Sequence, residues 1–381
     1  MTGIVRPRFV ALDTSSLNDW SRDWMSADAS FRRRARDFGD ALQANGYVPF
    51  LTLHHLLEML AHRDEKTLGD RLAFLRDQPV IGTLGSPEAG FGSVCDVLSA
   101  EVRAALALAD GTAEDVRRRA KEGLVAVVSG PDALAPYTGE WMTMIRMAQE
   151  KSERARVIVA VSRATIGENS GKTVRQVLSG NLRPKGERAL ALEGLRDKLH
   201  AEVAECGDSR IEDPKAVATC FFEMAMGDIG AEYENTADLF VQTMVKQNID
   251  PREVALDMLF DDLLELVEFR RKVAVCTEDG AHVAAAAIRR VKEAQIPSWL
   301  VHKNLRKHGQ DMPERKGSEM TDNFLASALS PYIDLVIVDR RTKENVRRTL
   351  QKVPKISSLI NRVEKAPKYW DVVSLLAEKA P

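Results

Sequence analysis

Residues Arg8-Phe9-Val10-Ala11-Leu12-Asp13 make a compact apolar run that stops at an acid, with Thr14-Ser15-Ser16 behind it. That pattern predicts a short buried strand passing into a segment whose hydroxyls suit a helix start. An arginine-rich polar helix is expected over 31–44, then an extended Tyr47-Val48-Pro49-Phe50-Leu51. A helix with the apolar stripe Leu53, Leu56, Leu57 and Leu60 follows. Gln78 to Thr83 reads as another short extended piece ahead of the Gly/Ser/Pro-rich stretch 82–92.

From about 93 to about 292 the spacing turns helical and Ala, Leu, Glu and Arg dominate. Helices are expected over 94–108, 113–128, 187–205, 214–226, 251–271 and 280–294, with no fixed-period repeat. Mixed element types return at the C-terminal side. A helix is expected over 321–329, a buried strand over Asp334-Leu335-Val336-Ile337-Val338-Asp339, and a basic helix over 342–350. The fold class expected is therefore α/β, with a mostly parallel sheet built from residues 1–85 and 296–381 and split by an all-α insertion over 86–295.

With 381 residues, 44% hydrophobic and 29% charged, the chain can bury at least one large core. No stretch approaches the roughly 20 apolar residues of a membrane span, and the opening segment lacks a signal-peptide cleavage pattern, so a cytoplasmic location is expected. Cys95, Cys206, Cys220 and Cys276 are far apart and form no CxxC pair, which points to reduced, mostly buried thiols. The net charge of −2 conceals a local excess: from Arg340 to Lys368 ten basic residues face two acids, a charge of +8. Such a run is either a solvated helical face or a surface for phosphate.

Four acids fall where this arrangement gathers groups: Asp13 and Asp339 at the ends of apolar strands, Glu58 on a helix away from its leucine stripe, and Asp322 near the start of another helix. Glu319, one helical turn before Asp322, is a fifth. Gathered carboxylates suit Mg2+ or Mn2+, hard cations that prefer oxygen. Two such ions about 4 Å apart can activate a water and stabilise the leaving oxygen of a phosphodiester. An Asp after an apolar strand also serves simply as a helix cap.

Phe9 to Leu17, with Asp13 followed by Thr14-Ser15-Ser16, resembles the first motif of the PIN-domain family of metal-dependent nucleases. Thr52-Leu53-His54-His55-Leu56-Leu57-Glu58-Met59-Leu60 is similar to its second, and Gly317 to Ala326 with Tyr332 to Arg340 resemble its third and fourth. The resemblance covers roughly the first 85 and last 80 residues. It implies a three-layer α/β/α core, metal ligation and catalysis by Asp13, Glu58, Asp322 and Asp339, and single-stranded RNA as substrate. It further implies frequent homodimerisation and a setting such as a toxin or defence effector under a protein inhibitor. Arg340, Arg341, Arg347 and Arg348 would attract the RNA backbone. Glu58 and Asp322 are 264 positions apart, so a compact core requires the long insertion.

Other signals lead elsewhere. Gly167-Glu168-Asn169-Ser170-Gly171-Lys172-Thr173 misses the phosphate-loop spacing because position 166 is Ile. Gly171 to Leu195 faintly resembles a helix-turn-helix, or is an ordinary amphipathic helix ended by Gly and Pro. His54, His55 and His62 lack the HExxH arrangement of a zinc hydrolase, though His54 or His55 could line a cleft. The competing reading of the whole chain is a non-catalytic nucleic-acid-binding or scaffold protein with a degenerate PIN-like core.

Overall fold

A computed structural model describes residues 6–85, 90–161, 171–179, 185–206, 211–227, 240–242, 244–245, 249–278, 289–309 and 317–376. The chain is α/β, with one mixed sheet of six strands in the order β4-β3-β2-β1-β5-β6. It divides into two compact units, one of residues 1–152, 294–309 and 321–381, the other of 153–293 and 310–320.

The first unit opens with β1 (Arg8–Ala11), α1 (Thr14–Trp24), α2 (Ala29–Ala44), β2 (Tyr47–Phe50), α3 (Leu53–Leu60), α4 (Glu65–Arg76) and β3 (Ile81–Leu84). These strands are parallel, with Ala11 opposite Phe50 and Phe50 opposite Gly82. Next come α5 (Val94–Leu108), α6 (Ala113–Lys121), β4 (Val125–Val128), α7 (Gly130–Leu134) and α8 (Trp141–Val161), whose residues from 153 on belong to the second unit. The segment 113–128, expected as one helix, is thus a helix and a strand. Gly123 takes φ +82 just after α6, a conformation that ends a helix at little cost in glycine. The apolar run behind it then pairs antiparallel with β3, Val125 opposite Leu84. Residues 113–128 therefore belong with the sheet, which extends past the boundary expected at residue 85.

In the second unit lie α9 (Val174–Leu178), α10 (Lys185–Cys206), α11 (Pro214–Gly227) and α12 (Phe260–Glu278). Leu199, Val203 and Ala218 form a small core between α10 and α11, and Val174, Met244, Ile249, Val254 and Leu263 form another. The helix expected from 251 is a single 3-10 turn, Pro251–Glu253, with α12 beginning at Phe260. Most of the helix expected over 280–294 lies outside the described residues. Cys220 on α11 is exposed, against the expectation of burial.

The chain returns to the first unit through α13 (Pro297–Gly309), the part of α14 (Gly317–Leu329) from residue 321 on, β5 (Leu335–Ile337), α15 (Arg340–Lys352), β6 (Arg362–Glu364) and α16 (Val372–Leu376). β5 pairs parallel with β1, Val10 opposite Leu335 and Ala11 opposite Val336, and β6 pairs parallel with β5. The two ends of the chain therefore share one sheet. The core agrees: Trp20 of α1 packs edge-on against Phe38 and Phe74 and stacks beside Tyr369, whose hydroxyl donates to Asp23 at 2.8 Å. Arg34 holds the same Asp23 carboxylate at 2.6 Å, so this buried acid is charge-paired rather than bare.

A second buried acid, Glu101 on α5, accepts from the Ser298 backbone N–H at 2.9 Å, the Ser298 hydroxyl at 2.5 Å and the Tyr332 hydroxyl at 2.7 Å. Burial pushes its carboxyl up to about 7 even though each of these bonds pulls it down. Among the described residues no helix is long and apolar enough to cross a membrane.

Candidate functional site

β1 leads by way of α1 and α2 to β2 on one side, while its other neighbour, β5, comes from the far end of the sequence. In open α/β sheets a crevice forms where strand order reverses in this way, outside the carboxyl ends of the strands, and side chains there are free of the sheet. Asp13 and Asp339 stand two residues beyond the ends of these hydrogen-bonded neighbours. Although 326 positions separate them in sequence, the sheet brings their strands together.

Both aspartates start helices. Asp13 is the N-cap of α1: one carboxylate oxygen accepts from Ser16 N–H at 2.9 Å, the other from the Ser15 hydroxyl at 3.0 Å. Asp339 is the N-cap of α15 and accepts from Thr342 N–H at 2.6 Å. Unpaired N–H groups at a helix start favour an anion. A carboxylate offers about four acceptor sites, so capping occupies part of each group and leaves oxygen for a further ligand.

Glu58 reaches the same place from α3, where it accepts a hydrogen bond from the hydroxyl of Thr14, the residue after Asp13. His55, one turn earlier on α3, is 1% exposed. Its Nδ1 accepts from Thr52 N–H at 3.1 Å, and with that tautomer Nε2–H donates to the Leu12 carbonyl at 3.0 Å. α3 is thus pinned to the end of β1 on both sides of Asp13. His55 is a structural link and does not line a cleft; the sequence signal for it was its position three residues after Thr52, where it completes a capping box. Burial pulls its pKa down to about 4, opposed by the bond to Leu12.

His54 is pulled down to about 3, by burial first and then by Lys151 and His55, and its buried Nδ1 has no hydrogen-bond partner among the described residues. Lys151 lies on the stripe of α8 that carries Met144 and Ala148 into the core. The residue is exposed overall, yet its ammonium is lowered by lost hydration and held up by the nearby Glu58 and Cys95. Sequence spacing carried no hint of this cation, because α8 is remote in sequence from both partners.

Asp322 is half-buried on α14, and the next residue, Asn323, lies 3.4 Å by its Oδ1 from Asn345 Nδ2 of α15. The backbone of Glu319 belongs to α14, but its side chain lies outside the described residues. Among the described residues no group of three or more His, Cys, Asp or Glu side chains is placed to hold a metal ion. Oxygen donors near the ends of β1 and β5 are of the kind a hard cation takes, but among the described residues they do not form a closed set.

Much of the basic run is already engaged. Glu344 holds Arg347 at 2.7 Å and Arg348 at 2.8 Å, and these two contacts hold its carboxyl down at about 2. Lys343 pairs with Glu364 at 2.6 Å. Arg340 is exposed in the first turn of α15, beside half-buried Arg341. Of the phosphate-loop-like segment, residues 167–170 lie outside the described residues. Thr173 is the N-cap of the five-residue α9, closing a capping box with Gln176; the helix-turn-helix expectation also rests on 180–184, which are not described. Comparison with models of protein families, with curated proteins and with solved structures found no match.

Proposed function

We propose that the crevice between the ends of β1 and β5 is the centre of an endoribonuclease with a PIN-like three-layer core, acting on single-stranded RNA with Mg2+ or Mn2+. The observation that carries the reading is the pairing of β1 with β5, which sets side by side the strands that lead into Asp13 and Asp339, while Thr14 ties Glu58 to the end of β1. Asp13, Glu58, Asp322 and Asp339 would hold the cations. A divalent cation at such a site supplies an activated water and charge stabilisation for the leaving oxygen.

The chain's own groups set the stage for that chemistry. The caps on α1 and α15 fix the two aspartates, the Thr14 hydroxyl orients Glu58, and His55 holds the Leu12 carbonyl so that the backbone under Asp13 cannot drift. Arg340, Arg341, Arg347 and Arg348 would draw the RNA backbone toward the Asp339 side, the last two in competition with Glu344. A homodimer, a protein inhibitor and a role as toxin or defence effector accompany this reading.

The test is cleavage of a fluorescent single-stranded RNA by the full chain with Mn2+ or Mg2+, set against Asp13→Asn and Asp339→Asn. Cleavage by the wild type and loss of at least a hundredfold in both variants is the expected result. Equal cleavage by all three proteins, or none by the wild type with either ion, would sink the proposal. A second reading, a non-catalytic RNA-binding scaffold, is favoured by two features: both aspartates already serve as caps, and the Lys151 ammonium stands near Glu58. RNA binding without cleavage is its signature.

A further inference from the structure

The face of the sheet near the start of β1 carries a cleft of about 840 Å³ that none of the chemistry above uses. Four cations line it: Arg6 ahead of β1, Arg8 at its start, and Arg118 and Lys121 from α6. Its floor is apolar, from Phe9 and from Val127, which remains 45% exposed on the edge strand. Gly82 makes this floor possible, because a Cβ there would sit 2.6 Å from the Phe9 ring.

The acids around the cleft are occupied. Asp334 accepts from Phe9 N–H at 2.8 Å, Glu122 pairs with Arg119 at 2.8 Å, and Asp115 pairs with Arg118 at 2.5 Å. Arg8 lies over the Tyr47 ring and donates to the Asn45 carbonyl, with no acid paired to it among the described residues. The cleft thus joins a rim on which Arg6, Arg8 and Lys121 have no paired acid among the described residues to an exposed apolar floor, in a volume within the range of about 300–1,000 Å³ usual for small-molecule sites. A ligand that satisfies both halves carries phosphate at one end and a flat, weakly polar ring at the other. Guanidinium and ammonium groups suit the phosphate, and an aromatic or branched apolar surface suits the ring.

We propose that this cleft is a nucleotide site, in which Arg6 and Lys121, with Arg118 in competition with Asp115, take the phosphate of a nucleoside 5′-phosphate and Phe9 and Val127 support its base. The same chemistry is offered by a free nucleotide and by the 5′-phosphorylated end of an RNA strand. The site is independent of the metal-dependent reading, because it uses none of Asp13, Glu58, Asp322 or Asp339.

The probe is a fluorescent N-methylanthraniloyl adenosine 5′-monophosphate titrated with the full chain. Saturable binding is expected in the wild type and in Asp13→Asn, weakened at least tenfold in the double variant Arg6→Glu/Lys121→Glu and likewise in Val127→Asp. These positions are exposed, so thermal melting of the variants should match the wild type and separate lost binding from lost folding. Competition assigns the source: displacement by a 5′-phosphorylated pentaribonucleotide, but not by its 5′-hydroxyl counterpart, gives the cleft to RNA ends, and resistance to both gives it to free nucleotides. Absence of saturable binding up to millimolar protein, or wild-type affinity in both folded variants, overturns the proposal. Because Asp13→Asn should lose cleavage and keep nucleotide binding, failure here and failure of the nuclease reading are distinguishable.

Discussion

Two buried titratable residues, Glu101 and His55, and the half-buried His54 set opposite pH demands on this fold. Glu101 titrates at about 7, above its ordinary 4.5, so the unfolded chain releases that proton first. The stability it carries is full below 4.5 and is lost as pH rises through 7, by about 3 kcal/mol in all. His54 and His55, held to about 3 and about 4, work the other way. Their contribution is present above 6.5 and falls away as acid charges the unfolded imidazoles. Between 4.5 and 6.5 two imidazole protons outweigh one carboxyl proton, giving a net rise of about 1.4 kcal/mol per pH unit. Above 6.5 Glu101 alone acts, which places the maximum of these combined contributions near 6.5. Glu101→Gln keeps the acceptor for Ser298 N–H and Tyr332 and places an N–H toward the Ser298 hydroxyl, as the protonated acid would. Urea unfolding across pH 5 to 8 should show the variant gaining on the wild type by about 3 kcal/mol, its rise below pH 6.5 steepened to about 2.7 kcal/mol per pH unit; parallel curves would refute this account.

At the scale of elements, the helix starts that hold the candidate site also separate folding from function. Asn caps a helix nearly as well as Asp, and Ala does not. Asp13→Asn and Asp339→Asn should therefore change stability by less than about 0.5 kcal/mol, whereas Asp13→Ala and Asp339→Ala should each cost about 1 kcal/mol in urea unfolding. Comparable losses for Asn and Ala would mean that the charge matters more to the fold than the cap does. α15 offers a second test. Glu344→Gln releases Arg347 and Arg348 from their shared acid, so RNA affinity should rise and the salt dependence steepen by about 0.7 for each additional phosphate neutralised. An unchanged slope in filter-binding titrations from 50 to 200 mM salt would remove this face from the RNA path. The cap at Asp13 was legible only as the alternative use of an acid that ends an apolar run; the hydroxyls expected at the helix start, Thr14 to Ser16, are instead the first residues of α1. β4 was not, because four apolar residues after a helix continue its periodicity, and Gly123 was the only stop signal. β6 escaped because it is three half-buried residues long and its register comes from β5, not from its own pattern.

Over the whole molecule, the meeting of the chain ends was inferable only jointly. No single acid pointed to it, and the pairing of β1 with β5 joins strands more than 320 positions apart, a relation that no local pattern encodes. Lys151 near Glu58 and the Glu101 network are products of the same long-range packing, which is why neither left a trace in spacing. This pairing makes cation binding a stability measurement as well as an activity one. A ligand that bridges Asp13 and Asp339 binds only the folded sheet and so stabilises it by mass action, about 1.4 kcal/mol when the ion is at ten times its dissociation constant. Thermal melting with millimolar Mn2+ should therefore rise by a few degrees in the wild type, and the shift should shrink in Asp13→Asn and in Asp339→Asn alike, because each variant removes one side of the bridge. A shift lost in only one of the two variants would place the ion on one strand end alone. No shift in any of the three would leave the paired strand ends as a purely structural junction, and the scaffold reading would then stand.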